Sequence, residues 1–401
     1  MPKLHDPARH EPLTATRWSE STVDAAIARI VDDTLHDFTP ERLWPTHPLD
    51  DPGPGDAIQH GLYLGAGGLI WALRQLRRAG AVDRDFDFSA TLPTLVERNR
   101  AALADESEQG SFLFGDTGLL WLQWQSRPDA ATADALFAAS EANLHHKSLE
   151  QLWGSPGSLL ATIAMAEATG EPRWRDQLER GLHILWDAMQ FDGALGAWVW
   201  TQDLYGKQVR YLGAGHGFAG NVFPALRGAA LLPRPLVDAW AERALQTLSA
   251  TAARDGECIN WLPACDPPTT SPVKWLLQDC HGAPGIVCRL ADAPRVPAWD
   301  ALLRGAAEAT WQAGPLAKGG GLCHGTAGNG YALLKLWRRT GDTLWLERAR
   351  AFAMHAIEQV QRFAEQTGQA RHSLWTGDIG VALYLRDCID GQARYPTLDV
   401  F

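Results

Sequence analysis

The sequence lacks the features that mark membrane proteins and nucleic-acid-binding proteins. It has no run of about eighteen uncharged apolar residues, and its polar N-terminus contains no apolar core of a signal peptide. Pro2 stands where a myristoylation signal requires glycine. No cluster of Lys and Arg offsets the formal net charge of -11. We therefore expect a cytoplasmic protein with no membrane anchor and no nucleic-acid partner, and we expect residues 1–20 to be poorly ordered.

Cysteine is also scarce, with six residues in a chain of 401. In a reducing compartment, cysteines are more often free thiols, metal ligands or core residues than members of disulfides. The length allows one large domain or two ordinary ones and does not decide between them. Metal binding is therefore the hypothesis that the cysteines raise.

Seven copies of a short motif are distributed along the chain. Each copy has a glycine, two further residues, a second glycine and an apolar run. The copies, numbered here as repeats one to seven, are GAGGLIWAL from Gly65, GDTGLLWL from Gly115, GSPGSLLATIAMA from Gly154, GFAGNVFPAL from Gly217, GAPGIVCRL from Gly282, GTAGNGYALLKL from Gly325 and GDIGVALYL from Gly377. A motif that returns at intervals of 39 to 65 residues indicates a repeat architecture.

Segments with helical periodicity precede each motif. Between residues 342 and 361, apolar side chains such as Trp345, Ala349 and Phe352 recur every three or four positions, which is typical of an amphipathic helix. The segments after each motif are more uniformly apolar, as expected for helices that are packed on both sides. We predict an all-α fold, an α/α toroid in which seven outer and seven inner helices form a double ring around a central cavity. An open solenoid of seven hairpins is the alternative, because periodicity does not distinguish the two.

The motif glycines should lie where the inner helices begin. Glycine permits unusual backbone angles and close approach of neighbouring turns, and free N-terminal amides of a helix favour anions. Polar groups at these positions should converge at one rim of the cavity.

Three repeats carry residues that suit a metal. A histidine directly precedes the first glycine in repeats four, five and six, as His216, His281 and His324, and Cys280 and Cys323 precede the last two. Equivalent positions in a closed ring point towards a common centre. Thiolate and imidazole ligands suit zinc, and three protein ligands with one open position are typical of a reactive site. A buried cysteine is more often a core residue, but two copies at equivalent positions favour the metal.

The motifs YLGAGHGFAG, CHGAPG, GLCHGTAGNGYALL and HSLWTGDIGVALYL resemble the signatures of the lanthionine synthetase C-like proteins. The resemblance extends from about Tyr63 to Leu385. It implies one α/α toroid domain over residues 1–401, a zinc ion held by Cys280, Cys323 and His324, and a catalytic histidine at His216.

One branch of that family comprises cyclases that form thioether rings in precursor peptides, and another is associated with adding glutathione to dehydroalanine or dehydrobutyrine. The cyclases usually have Tyr after the first zinc cysteine, whereas His281 stands there in this chain, which favours the second branch. Lys318 resembles that branch's glutathione-contacting lysine, and Glu150 stands at the place of a carboxylate implicated in the family. Asp279 replaces the Trp that the family favours, and an extra anion there is expected to raise the pKa of a bound thiol or repel glutathione.

The expected partners are glutathione or a peptide thiol and a peptide or protein that contains a dehydroamino acid. Thiol attack on the β-carbon builds negative charge on the neighbouring carbonyl oxygen, and the α-carbon must then receive a proton. His216 is expected to supply the proton. His281 is expected to polarise the carbonyl or to orient the zinc ligands. Lys318 is expected to bind a substrate anion, or to be a solvated loop lysine.

Three other functions remain open at this point. The chain could be a lanthipeptide-type cyclase that acts on a precursor peptide, or a non-catalytic regulator that binds zinc or glutathione. A sugar-active enzyme on a helical toroid would need paired carboxylates. That third function is disfavoured because few acidic residues occupy equivalent inner positions.

Overall fold

The computed structural model describes residues 4–50, 58–103, 106–266 and 273–401. Within them, α-helices numbered in chain order alternate between an outer and an inner position. The outer helices are α1 (Glu20–His36), α3 (Leu92–Ala102), α5 (Ala130–Ala142), α7 (Pro172–Ala188), α9 (Arg234–Thr251), α11 (Pro297–Ala313) and α13 (Thr343–Thr367). The inner helices are α2 (Ala66–Arg78), α4 (Asp116–Ser126), α6 (Ser155–Thr169), α8 (Phe218–Arg227), α10 (Ala283–Leu290), α12 (Thr326–Thr340) and α14 (Asp378–Asp390).

The inner helices form a closed ring. Each one packs against the next inner helix along the chain, and α14 packs against α2. The outer helices cover the contacts between neighbouring inner helices. For example, α13 packs against both α12 and α14, and α1 packs on α14. The predicted α/α toroid of seven inner and seven outer helices is therefore confirmed, and the open solenoid is excluded.

Burial follows the predicted division between the two rings. In the inner helix α6, every residue from Ser155 to Ala166 is buried, whereas the outer helix α13 buries Trp345, Ala349 and Phe352 on one face. No helix within the described residues is both long enough and apolar enough to cross a membrane.

Three antiparallel hairpins interrupt the helices of the described chain. Strand β1 (Gln190–Asp192) pairs with β2 (Ala197–Val199), β3 (Gln202–Leu204) with β4 (Lys207–Val209), and β5 (Ala253–Asp255) with β6 (Cys258–Asn260). The first two hairpins lie between α7 and α8, and the third lies between α9 and α10. Periodicity did not predict them, because a strand of three residues is too short to show alternation.

The C-terminal segment 392–401 follows α14 and enters the ring from the end at which the inner helices finish. Tyr395 and Leu398 are buried, and the Tyr395 ring lies 4.8 Å from Tyr331 and 5.6 Å from Trp375 between centroids. The Tyr395 hydroxyl reaches the carbonyl oxygen of Leu322, at 3.4 Å. The predicted central cavity is thus filled by chain from this end.

The N-terminal segment is fixed against the ring. The Glu11 amide donates to the carbonyl of Pro315, at 3.0 Å, and its carboxylate accepts from Arg362 and Gln359, both at 2.7 Å. Leu4 is buried. The expectation that the N-terminus is poorly ordered is therefore wrong for residues 4–19, because side chains of α13 bind it; residues 1–3 lie outside the described residues.

Candidate active site

The glycine motif lets a loop cross directly over the start of each inner helix. The first glycine is the N-cap residue of the inner helix in every repeat. A Cβ on the second glycine would clash with the carbonyl oxygen of the residue six positions earlier, for example at 1.7 Å between Gly285 and Asp279 and at 1.8 Å between Gly328 and Leu322. Only glycine fits this crossing, which explains why the motif recurs seven times.

The same loops bind the first amides of the inner helices. The Phe218 amide donates to the Tyr211 carbonyl, at 3.0 Å, and the Thr326 amide donates to the Gly319 carbonyl, at 2.9 Å. The expectation that the helix starts offer free amides to an anion is therefore wrong for α8 and α12, because loop carbonyls already accept from their first amides.

Backbone hydrogen bonds join the loops of neighbouring repeats at the residue two positions before the first glycine in every repeat but the third. They run from Tyr63 N to Leu113 O (3.0 Å), from Trp375 N to Tyr63 O (3.2 Å), from Cys323 N to Trp375 O (2.8 Å), from Cys280 N to Cys323 O (3.2 Å) and from Gly215 N to Cys280 O (3.1 Å). We call the residues one and two positions before the first glycines the mouth of the ring. These bonds make Cys280 and Cys323, distant in sequence, direct neighbours in the mouth.

Three side chains of the mouth form a candidate metal centre. The Cys280 and Cys323 sulfurs and one ring nitrogen of His324 all lie within 4.8 Å of one another. Zinc bonds of about 2.0–2.3 Å place tetrahedral ligands roughly 3.5 Å apart, so small side-chain shifts bring these atoms to coordination distance. Both cysteines are buried and His324 is half-buried. The donor types and their spacing fit a zinc ion.

Neighbouring groups favour negative charge on one of the two sulfurs. The hydrogen bond from Cys323, assisted by His324, lowers the pKa of Cys280 well below its usual value, whereas the same hydrogen bond, burial and the charge on Cys280 raise the pKa of Cys323. Gln278 Nε2 also donates to the Cys280 sulfur, at 3.0 Å. Burial and the charge on Cys323 raise the pKa of Tyr63, which keeps its hydroxyl protonated as a donor to that sulfur.

Tyr63 was not predicted as a site residue. It stands two positions before Gly65, which is the place in repeat one that Cys280 and Cys323 occupy in repeats five and six. That equivalence was the signal that could have identified it.

His216 is paired with Glu150. Its Nδ1 lies 3.0 Å from Glu150 Oε2, and the fully buried carboxylate also accepts from the amides of Leu152, at 3.0 Å, and Trp153, at 2.6 Å. Burial disfavours the imidazolium, but the hydrogen bond and charge of Glu150, with the charge on Cys280, outweigh it and raise the pKa of His216. The pair therefore favours the protonated form of His216.

His281 lies beside His216 with the opposite electrostatic tendency. The two ring centroids are 5.6 Å apart, and the Tyr211 ring lies 5.4 Å from His281. Burial, reinforced by His216, lowers the pKa of His281 despite the opposing charge on Cys280. Within the described chain, its buried Nδ1 has no hydrogen-bond partner. Two adjacent imidazoles with divergent pKa values can serve as one acid and one neutral hydrogen-bond donor.

Asp279 points away from the mouth. Its carboxylate accepts two hydrogen bonds from Arg289, at 2.9 and 2.8 Å, and both side chains are about 1% exposed. Arg289 of α10 partly offsets this anion, but the charge on Asp279 still helps to raise the pKa of Cys323, so its expected effect on a bound thiol or on glutathione stays a prediction.

Lys318 is exposed in the loop before α12 and has no hydrogen bond or ion pair to any described residue. The amide of its neighbour Ala317 donates to the Arg9 carbonyl, at 3.0 Å, so the N-terminal segment borders this loop. The structure does not bring Lys318 into contact with Cys280, Cys323 or His324, and its substrate-binding role stays a prediction.

A helical toroid with a cysteine–histidine centre at its mouth defines the class of protein. Residues 57–400 match the family model described as lanthionine synthetase C-like protein, and the chain belongs to that family.

The comparisons also find individual relatives. The chain is 30% identical over 197 residues to "Glutathione S-transferase LANCL1" of Danio rerio, across 48% of this chain and 47% of that protein. It is 36% identical over 139 residues to "LanC-like protein GCL1" of Arabidopsis thaliana, across 32% of each. The chain thus spans about half the length or less of these curated relatives. The solved structure of nisin cyclase shares the fold, with a TM-score of 0.60, 14% identity, and coverage of 94% of this chain and 96% of that one.

Proposed function

We propose that this protein adds a thiol across the double bond of dehydroalanine or dehydrobutyrine in a peptide or protein. Glutathione is the proposed donor, and zinc held by Cys280, Cys323 and His324 is the proposed cofactor. The observation that carries the proposal is that the paired acid Glu150–His216 lies in the same mouth as this donor set. The name of the Danio rerio relative, a glutathione S-transferase, supports the choice of donor.

Zinc bound at these residues would supply the positive charge that keeps an incoming thiol, whose free pKa is about 8.5, in its nucleophilic thiolate form. The chain's own groups keep the ligands in place. Gln278 donates to the Cys280 sulfur and Tyr63 donates to the Cys323 sulfur. These two donors stabilise the cysteines as thiolates and fix their direction.

The two histidines divide the remaining work. Thiol attack on the β-carbon leaves charge on the carbonyl oxygen, and a neutral His281 can donate a hydrogen bond to that oxygen. The protonated His216 then gives its proton to the α-carbon and is reprotonated from the solvent, which has taken up the proton lost by the thiol. Glu150 holds the His216 ring in place and favours its protonated form. The carboxylate is therefore a positioning residue.

The same geometry disfavours sugar hydrolysis. Glu150 already accepts two backbone amides and His216, and Asp279 is bound by Arg289 below the mouth. A glycosidase needs two carboxyl groups that flank one bond. Neither of these groups is free for that role.

The test uses the full chain loaded with zinc, glutathione and a peptide that contains one dehydroalanine. Mass spectrometry should detect the glutathione adduct well above the uncatalysed rate. His216→Asn should retain the zinc and lose about 10²–10⁴-fold in rate. A peptide thiol that reacts much faster than glutathione would assign the protein to the cyclases. Absence of product with either donor at full zinc occupancy would leave a binding role and overturn the proposal.

A further inference from the structure

The mouth has two chemically different halves. Repeats four to six place His216, His281 and His324 directly before the first glycine. At the equivalent position, repeats one to three place the partly exposed side chains of Leu64, Phe114 and Trp153. The second half carries no charge at these positions and is not used by the proposed chemistry.

Aromatic rings extend from the metal centre across this second half. Tyr63 stacks on Trp375, with 5.5 Å between centroids and 14° between planes. It also contacts Phe114, at 4.9 Å, and Phe114 stacks on Trp153, at 4.3 Å and 16°. The rings therefore form a continuous aromatic row from the Cys323 side of the mouth to Trp153, which is buried at Tyr63 and Trp375 and partly exposed at Phe114 and Trp153.

Tyr205 connects that surface to His216. It lies at the turn between β3 and β4, where its hydroxyl accepts a hydrogen bond from Trp153 Nε1, at 3.1 Å. Its ring centroid is 6.0 Å from that of His216 in an edge-on arrangement. The hairpin thus places an aromatic side chain directly beside the proposed proton donor.

Fold stability does not explain a tyrosine at this position. Tyr205 and Gly206 both have positive φ, of 52° and 72°, and such two-residue turns favour Asn or Gly because a bulky side chain is strained there. The side chain is 68% exposed, so burial does not compensate for the strain. Strained residues that gain little from packing often mark functional sites.

We propose that Tyr205, Trp153 and Phe114 form the binding platform for the acceptor peptide, and that they select acceptors with an aromatic or large apolar residue next to the dehydroamino acid. This inference rests on the proposed function. The acceptor must reach His216, and the donor thiol occupies the side of the zinc ligands. The acceptor chain therefore enters over Tyr205.

The spacing suits an extended peptide. Successive residues of an extended chain advance by about 3.3 Å. The 6.0 Å between the Tyr205 and His216 rings thus corresponds to a step of one or two residues along the chain from the double bond to the side chain on the platform. The Tyr205 hydroxyl, which accepts from Trp153, can donate its own proton to a peptide carbonyl.

Tyr205→Asn is the sharpest test, because Asn suits the positive φ and keeps the hairpin while it removes the ring. With a zinc-loaded enzyme, we expect KM for a Phe-dehydroalanine peptide to rise about three- to tenfold. KM for glutathione and zinc content should stay at their wild-type values, and Tm should not fall, because Asn relieves the strain at positive φ. A Gly-dehydroalanine peptide should show little change, and Tyr205→Phe should have an intermediate effect. Unchanged KM for the Phe peptide in Tyr205→Asn would overturn the platform.

A second measurement separates this inference from the proposed function. Fluorescence anisotropy with a labelled Phe-Ala peptide, which lacks the double bond, reports binding without turnover. Tighter binding to the wild type than to Tyr205→Asn supports the platform even if no addition is catalysed, and equal binding contradicts it. Phe191→Asn is the matched control, because Phe191 is 51% exposed in the neighbouring hairpin, where it contacts Trp198. It should bind the peptide as the wild type does.

Discussion

The metal half of the mouth comprises repeats four to six, and the aromatic half comprises repeats one to three together with Trp375 of repeat seven. Both halves share one backbone design. In both halves the second glycine lies under a loop carbonyl, as Gly285 lies under Asp279 and Gly68 lies under Leu62. Backbone bonds at the mouth cross from one half to the other, for example from Cys323 to Trp375. The halves differ in the side chains at two positions per repeat. The glycines therefore specify the scaffold, and these two positions specify the chemistry.

The strongest test of this separation is Cys323→Ala. We expect the variant to lose its zinc and at least about a hundredfold in addition rate, because a ligand is gone. It should keep its fold, because the backbone hydrogen bond to the Trp375 carbonyl uses the Cys323 amide and not its side chain. Metal analysis, rate measurement and circular dichroism check the three parts. Phe114→Ala in the aromatic half should keep the zinc. Unfolding of Cys323→Ala even when zinc-free wild type is folded would show that chemistry and scaffold are not separable.

Glu150→Gln tests the acid in the metal half. The carboxylate raises the pKa of His216 against the effect of burial, so its removal should lower that pKa. In the proposed mechanism the protonated form is the active one and is lost as pH rises through the folded pKa, so the descending limb of kcat should move to lower pH. The rate should fall by about 10²-fold above neutral pH and by less below it. A uniform loss at all pH values would contradict the assigned role.

Arg289→Met tests the ion pair beneath repeat five. It leaves the Asp279 charge buried without its partner, so the free energy of unfolding should fall by about 3–5 kcal/mol. Leu62, Leu322 and Leu374 occupy the position equivalent to Asp279. The double variant with Asp279→Leu should therefore regain most of the loss, since an apolar pair can replace a buried ion pair. Denaturant unfolding measures both, and a double variant as unstable as Arg289→Met would contradict this reading.

Tyr63→Phe has the smallest expected effect and tests the contact between the two halves. It removes the donor to Cys323 but keeps the rings against Trp375 and Phe114. Zinc affinity should fall by about tenfold with an unchanged Tm. Tyr331→Phe is the control, because the buried Tyr331 hydroxyl has no hydrogen-bond partner in the described chain. Equal zinc affinities in the two variants would show that the Tyr63 hydroxyl does not contribute to zinc binding.

The sequence was sufficient to predict the ring of helices. It was not sufficient to predict the hairpins or the C-terminal segment that fills the ring. The seven glycine motifs reflect a local steric requirement, and the amphipathic segments show which face of each helix is buried. Both features can therefore be identified from a single sequence. The hairpins are too short to show alternation, and the C-terminal segment around Tyr395 has no periodicity. These parts depend on tertiary contacts that no local pattern encodes.

The same limit applies to the candidate site. Repeat equivalence predicted that Cys280, Cys323 and His324 approach one another, and the structure brings them together. The interpretation of Asp279 as an extra anion lacked its partner Arg289, which only the folded structure brings beside it. The equivalence of repeat positions could also have placed Tyr63 in the site. It was not predicted, because tyrosine is not a residue type that indicates a metal site.

The central claim is that two sulfurs and one imidazole of the mouth hold a zinc ion that accepts a further thiol. X-ray absorption spectroscopy at the zinc edge of the purified full chain tests it directly. The account predicts one zinc per chain with two sulfur ligands and nitrogen or oxygen ligands, and a third sulfur when glutathione is added. Zinc without sulfur ligands, or a sulfur count that glutathione leaves unchanged, would contradict it.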